Sequence, residues 1–314
     1  MQWQTTITIP ALPDKLNYRT PALFAGSCFA ASIGEAMKQR RFPVTVNPFG
    51  ALYNPCSVAQ CLRRLRTCRT FAEGELFRAH GLWTTFAHHS LFAHPDRATF
   101  LRQANDALEK GHEAWRTARA IVVSLGTSWA YRHRESNRIV ANCHKRPDSE
   151  FERLFLSSEE TVAMLADEIG AKQDCLWLLT VSPVRHWNDG AHGNQLSKAH
   201  LLVAVETLRQ RFPTRCYYFP AYEIMMDELR DYRFYAADMR HPSAQAIDYI
   251  WQRFAAAAFD DETRTIMREV EKLAAARQHR PLHPDTEEHR LFAETLKNQL
   301  RAFAERYPFV TTEE

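Results

Sequence analysis

The chain has 314 residues, 45% apolar and 25% charged, an ordinary globular composition with apolar mass enough for one large core or two modest ones. Forty Lys and Arg against 37 Asp and Glu leave a net charge of +3, and no basic run forms the stripe that a nucleic-acid binder presents. No segment approaches the roughly 20 apolar residues of a membrane span, and the opening MQWQTTITIP lacks a cationic stretch followed by an apolar run. The expectation is therefore a soluble, cytoplasmic protein with neither nucleic acid nor membrane as partner.

In chain order, short apolar runs alternate with helical patterns, which predicts a parallel sheet covered by helices. The first run is Pro21 to Ala25, breaking at Gly26, and a helix follows from Phe29 to Arg40 with Phe29, Ile33, Ala36 and Met37 on one face. A second strand is expected at Phe42 to Val46, ending in NPFG (Asn47 to Gly50). Next comes an insertion, about residues 56–94. It opens with an Arg-rich helical segment holding Cys56, Cys61 and Cys68, then carries Trp83, Phe86, His88, His89 and Phe92. That aromatic stretch admits two readings, an acyl or sugar pocket over an active-site rim or a satellite core for a long loop.

Helical patterns then run Asp96 to Ala118, Ser158 to Ile169 and Ser197 to Arg211. Strands are predicted at Ala120 to Leu125, Cys175 to Val181 and Arg215 to Phe219. Five strands with intervening helices make a doubly wound α/β domain over residues 1–259. Residues 260–314 read as a helical C-terminal extension, Glu262 to Gln278 and Glu287 to Arg306 with a break at Arg280 to Pro284. Amphipathic helices of this kind cover a core or mediate self-association, so a homo-oligomer is one expectation. Seven cysteines, an odd count without CxxC spacing, suit reduced thiols better than a disulfide framework.

An open parallel sheet places its ligand site outside the carboxyl ends of the strands. Gly26-Ser27-Cys28 falls there, at a helix start whose amides favour negative charge and so help deprotonate a hydroxyl or thiol; the plainer reading of Ser27 is an N-cap. In the last loop, Asp238 precedes His241 by three residues, and Pro242-Ser243 opens the next apolar helix. That spacing lets the carboxylate fix the imidazole tautomer and stabilise the imidazolium. After strand four, Arg185 and His186 hang over the same rim. Arg185 is a candidate for a substrate carboxylate or phosphate, with a structural salt bridge as the competing role. His186, Asp189 and His192 have neither helical nor strand spacing for a metal, and no metal or other cofactor is expected. Glu223 either supports the site or caps the helix near Ile224.

Gly26-Ser27-Cys28-Phe29-Ala30 spells the motif of the GSCFA family, and the chain resembles that family, and with it the SGNH (GDSL-like) hydrolase superfamily, over roughly residues 21–259. Gly26-Ser27-Cys28 looks like the superfamily's G-D-S turn, Gly50 like its second-block glycine, Gly126-Thr127-Ser128-Trp129 like its G-x-N-D block, and Asp238 to Pro242 like its D-x-x-H-P. The resemblance implies a flavodoxin-like three-layer α/β/α sandwich with a parallel five-stranded sheet. It also implies ester chemistry through a nucleophile, His241 and Asp238, with a small-molecule or glycan ester as substrate.

Superposing the glycines puts the superfamily's serine on Cys28 and its aspartate on Ser27. Cys28 is the slightly favoured nucleophile, while Ser27 would need a one-residue shift of the turn. The oxyanion donors implied are the nucleophile's own amide, the Gly50 amide and a side chain of the third block. There Ser128 replaces the usual Asn, and Asn142 is an alternative amide donor or an Asx-turn residue. Three functions follow as expectations: an ester hydrolase, an acyltransferase using a thioester donor, and a catalytically inactive binding protein on the same fold.

Overall fold

The computed structural model describes residues 5–279 and 285–310; the expected break at Arg280 to Pro284 lies outside them. The centre is a five-stranded parallel sheet in the order β2-β1-β5-β9-β10, formed by β1 (Ala22–Gly26), β2 (Val44–Val46), β5 (Ala120–Leu125), β9 (Leu176–Val181) and β10 (Cys216–Tyr218). β1, β5 and β9 are buried at every position, as strands covered on both faces must be. With the strands taken in sequence order, this is the 2-1-3-4-5 arrangement of flavodoxin-like sheets, whose switch point lies between the first and third strands, here β1 and β5.

Alternate side chains feed two layers. Phe24, Val122 and Leu178 pack under α1 (Cys28–Gln39) and α7 (Ala244–Ala258). Leu23, Ile121, Trp177 and Leu179 face α2 (Pro55–Thr67), α3 (Arg97–Thr117), α4 (Ser158–Ala171) and α5 (Gly190–Arg211). The start of the expected insertion, α2, is thus a core-covering helix, its Val58, Leu62 and Leu65 fully buried. α8 (Asp261–Gln278) lays Ile266, Met267, Val270 and Leu273 onto the α1/α7 layer, and α9 (Glu287–Arg306) adds Phe303. The tail completes the first layer of the sandwich.

Three features depart from expectation. α5 begins seven residues before Ser197, so Gly190 and Gly193 lie in its first turn. β3 (Phe77–Ala79) and β4 (Leu82–Thr84) form a hairpin inside the insertion. A three-stranded antiparallel sheet, β7 (Arg138–Val140), β6 (Trp129–His133) and β8 (Phe151–Phe155), stands between β5 and α4; its polar and apolar residues mix because one side meets solvent. His88, fully buried, sits among Phe49, Phe71, Phe92 and Phe100. This part of the aromatic insertion extends the second core layer instead of forming a satellite core.

Candidate active site at the strand ends

The loop after β1 is held from several sides. Gly26 has φ +130°, and a Cβ there would stand 2.1 Å from the Ser124 carbonyl oxygen of the neighbouring strand, so the close approach of two parallel strands requires glycine. Gly26 N–H donates to Asn47 Oδ1 at 2.9 Å, and Ser27 N–H to the Ser124 carbonyl at 3.0 Å. Ser27 is the N-cap of α1: its Oγ accepts from Phe29 N–H at 3.2 Å and pairs with Ser124 Oγ at 2.8 Å. At 1% exposure it faces inward, and both roles of its hydroxyl are structural. Cys28 is the first helical residue, partly exposed and free of any disulfide. Its Sγ meets Tyr53 Oη at 3.5 Å, and among the described residues its backbone N–H has no acceptor. The two residues that the sequence could not separate therefore have different surroundings.

Asp238 and His241 form one turn, with Met239 in the left-handed region at φ +56°. Asp238 Oδ1 accepts the Arg240 and His241 amides at 2.9 and 3.0 Å, and Oδ2 pairs with His241 Nδ1 at 2.6 Å. The His241 amide, then its ring, then the Arg240 amide hold the Asp238 carboxyl well below the usual carboxylate range. The side chains are 46% and 48% exposed, which leaves His241 Nε2 open to a ligand. No hydrogen bond joins that nitrogen to Cys28 or Ser27 among the described residues.

A chain of contacts places both halves on one edge. Tyr53, which touches Cys28, sets its ring edge to face against His186 with centroids 6.0 Å apart. His186 Nε2 lies 3.3 Å from where a Gly126 Cβ would stand. Burial first, then the Lys198 and His241 charges, push the His186 ring down to about 3, so it is neutral at physiological pH. Next to it, Arg185 N–H donates to the Arg240 carbonyl at 3.0 Å and its guanidinium to the Met239 carbonyl at 3.3 Å. Among the described residues Arg185 makes no ion pair. It stacks over Trp187 at 4.2 Å and Tyr235 at 5.4 Å, so its place in this structure is to clamp the histidine turn.

Each of the expected oxyanion donors has hydrogen-bond partners in this structure. Gly50 N–H donates to the Asn47 carbonyl at 2.7 Å, closing the NPFG turn. Ser128 is fully buried and bonded to Ser197 through both its N–H and its hydroxyl, at 2.7 and 3.0 Å. Asn142 gives Nδ2 to Ser90 at 3.0 Å and accepts His144 N–H at 2.8 Å, the Asx-turn role. All three groups are engaged in holding loops. Glu223, the last residue of the short helix α6 (Ala221–Glu223), accepts the Tyr218 hydroxyl. Among the described residues no three His, Cys, Asp or Glu side chains gather as a metal site, and Asp189 is paired with Arg153.

Three residues at this edge went unnoticed in the sequence. Tyr53 carried no signal, since a lone loop tyrosine has no pattern. Asn47 Nδ2 is buried without a partner while its Oδ1 holds Gly26. Lys198, 1% exposed, donates to the Gly126 and Ser182 carbonyls, each at 2.7 Å, and so ties the ends of β5 and β9 together. Burial without a carboxylate partner pulls its amine down to about 7. Its signal was a lysine in register with Asn194 and Leu201 on the buried face of α5.

A cleft of about 1190 Å³ lies elsewhere, between α2 and β7, with Phe49 in its lining. Among the described residues no helix is long and apolar enough to cross a membrane. In sequence comparisons no curated protein matches the chain. A family model described as the GSCFA family matches residues 21–254, and one described as the GSCFA domain protein, C-terminal domain, matches residues 270–314. Since the first match alone spans well over half of the residues, the chain belongs to the GSCFA family.

Proposed function

We propose that this protein is an SGNH-like enzyme that cleaves a small or carbohydrate-linked ester, with Cys28 as nucleophile, His241 as base and Asp238 as the group that orients it. The observation that carries the reading is the pairing of an accessible thiol at a helix start with a half-exposed His-Asp pair on the same sheet edge. The flavodoxin-like strand order and the family motif support it.

In the first step the Cys28 thiol turns from Tyr53 towards His241 and gives its proton to Nε2 as sulfur bonds the ester carbonyl carbon. The carbonyl electron pair moves onto oxygen, where the unbonded Cys28 N–H donates to it. Collapse breaks the bond to the alcohol, which leaves with the proton from His241. Water, deprotonated by His241, then releases the acid and restores the thiol. A hydroxyl acceptor replacing that water gives acyl transfer, which a thioester intermediate favours. Trp187 and Tyr232, 43% and 69% exposed, offer aromatic surface beside Arg185 and Tyr235 for a sugar or similar ring.

Hydrolysis of p-nitrophenyl acetate and butyrate tests the reading. The wild type should turn over; Cys28→Ala and His241→Ala should each lose about 10³-fold or more in kcat/KM with Tm unchanged. Activity that survives both substitutions, or a wild type inert towards activated esters and hydroxyl acceptors alike, contradicts it. The second outcome would favour a binding protein on this fold.

A further inference from the structure

The cleft between α2 and β7 has an organisation of its own. Its volume, about 1190 Å³, is at the upper end of the range for small-molecule sites. Five arginines line it, Arg63, Arg64, Arg69, Arg138 and Arg146, against Glu75 and Glu135. Three of the five are held in place by carboxylates. Arg64 forms a two-pronged pair with Glu75 at 2.7 and 2.8 Å, Arg63 meets Glu168 at 3.0 Å, and Arg146 meets Glu150 at 2.5 Å. The other two are less engaged: Arg69, 65% exposed, pairs with Glu75 at 3.6 Å, and Arg138 makes no ion pair among the described residues.

Beneath this charge the walls are apolar, with Phe49, Leu76, Phe77, Phe86, Ile139 and Val140.

We propose that this cleft binds an anionic amphiphile, an alkyl or acyl chain ending in a phosphate or carboxylate. The chain lies along the apolar wall, and the head group is held by Arg138 and Arg69. Arginine suits such a head because its planar fork meets two oxygens at once. The site is separate from Cys28 and His241 and does not depend on their chemistry.

Isothermal titration of the full chain with dodecyl phosphate below its micelle concentration tests this, with dodecyl maltoside and inorganic phosphate as comparison ligands. Dodecyl phosphate should bind at least tenfold more tightly than either. The double variant Arg69→Glu, Arg138→Glu should weaken it at least tenfold without moving Tm, because both side chains are exposed. Cys28→Ala should bind like the wild type. No binding of dodecyl phosphate overturns the proposal. So does affinity equal to that for dodecyl maltoside or for phosphate alone, or affinity indifferent to the double variant.

Discussion

The loop after β1 and the turn before α7 contribute the two halves of one candidate site, and they are built in opposite ways. Gly26 and Ser27 are locked by the neighbouring strand, with every polar group of Ser27 engaged and no room for a Cβ at Gly26. Asp238 and His241 stand half-exposed on a turn that closes on itself through three hydrogen bonds to one carboxylate. The thiol's position is thus a property of the sheet, whereas the imidazole's orientation is a property of four consecutive residues. Substitutions at Gly26 and Ser27 should act on folding and those at Asp238 and His241 on chemistry.

The largest effect should come from Gly26→Ala. A methyl 2.1 Å from a backbone oxygen, at a φ that alanine avoids, places it at the severe end of single substitutions, about 5 kcal/mol. Denaturant unfolding should show the loss, and a stable folded Gly26→Ala protein would break the contrast. Asp238→Asn should do the reverse. It keeps the turn's shape but weakens control of the His241 tautomer, so kcat/KM should fall about 10³-fold, or roughly 4 kcal/mol in the barrier, while Tm stays within a degree or two. A large fall in Tm would make Asp238 a structural residue after all.

A smaller effect is expected on acidification. Burial holds His88 and His186 down to about 3, below the ordinary 6.5, so the unfolded chain binds more protons than the folded one between those values. Their stabilisation is complete above pH 6.5 and is lost as pH falls towards 3, about 2 kcal/mol for His88 by pH 5. His88→Phe, in its cage of four phenylalanines, should flatten that acid limb in thermal melts across pH 4 to 7. An unchanged limb would mean that this ring is not buried neutral.

The contrast also explains what could be read from the chain. β1, β5 and β9 were legible because strands covered on both faces are continuous apolar runs ending at glycine or Ser182-Pro183. The Asp238–His241 turn was legible because its parts are contiguous. By comparison, β6 to β8 carry Arg132, Arg138 and Arg153 among aromatic residues, since one face is wet, and this hides the strand period. The start of α5 was obscured by Gly190 and Gly193, poor helix formers placed in its first turn. The expected oxyanion donors show a limit of another kind. Whether an amide is free depends on its tertiary partners, and Gly50, Ser128 and Asn142 each found one. Tyr53 and Lys198 reach the edge through packing alone, so no local pattern announces them.

The central claim is that Cys28, and not Ser27, attacks the substrate. Intact-protein mass spectrometry after brief mixing with p-nitrophenyl acetate tests it most directly, with the wild type compared to Ser27→Ala and Cys28→Ala and the adduct located by peptide mapping. The account predicts one acetyl group on the peptide holding Cys28 in the wild type and in Ser27→Ala, released by hydroxylamine as a thioester is, and none in Cys28→Ala. An acetyl group that persists in Cys28→Ala and disappears in Ser27→Ala would contradict it.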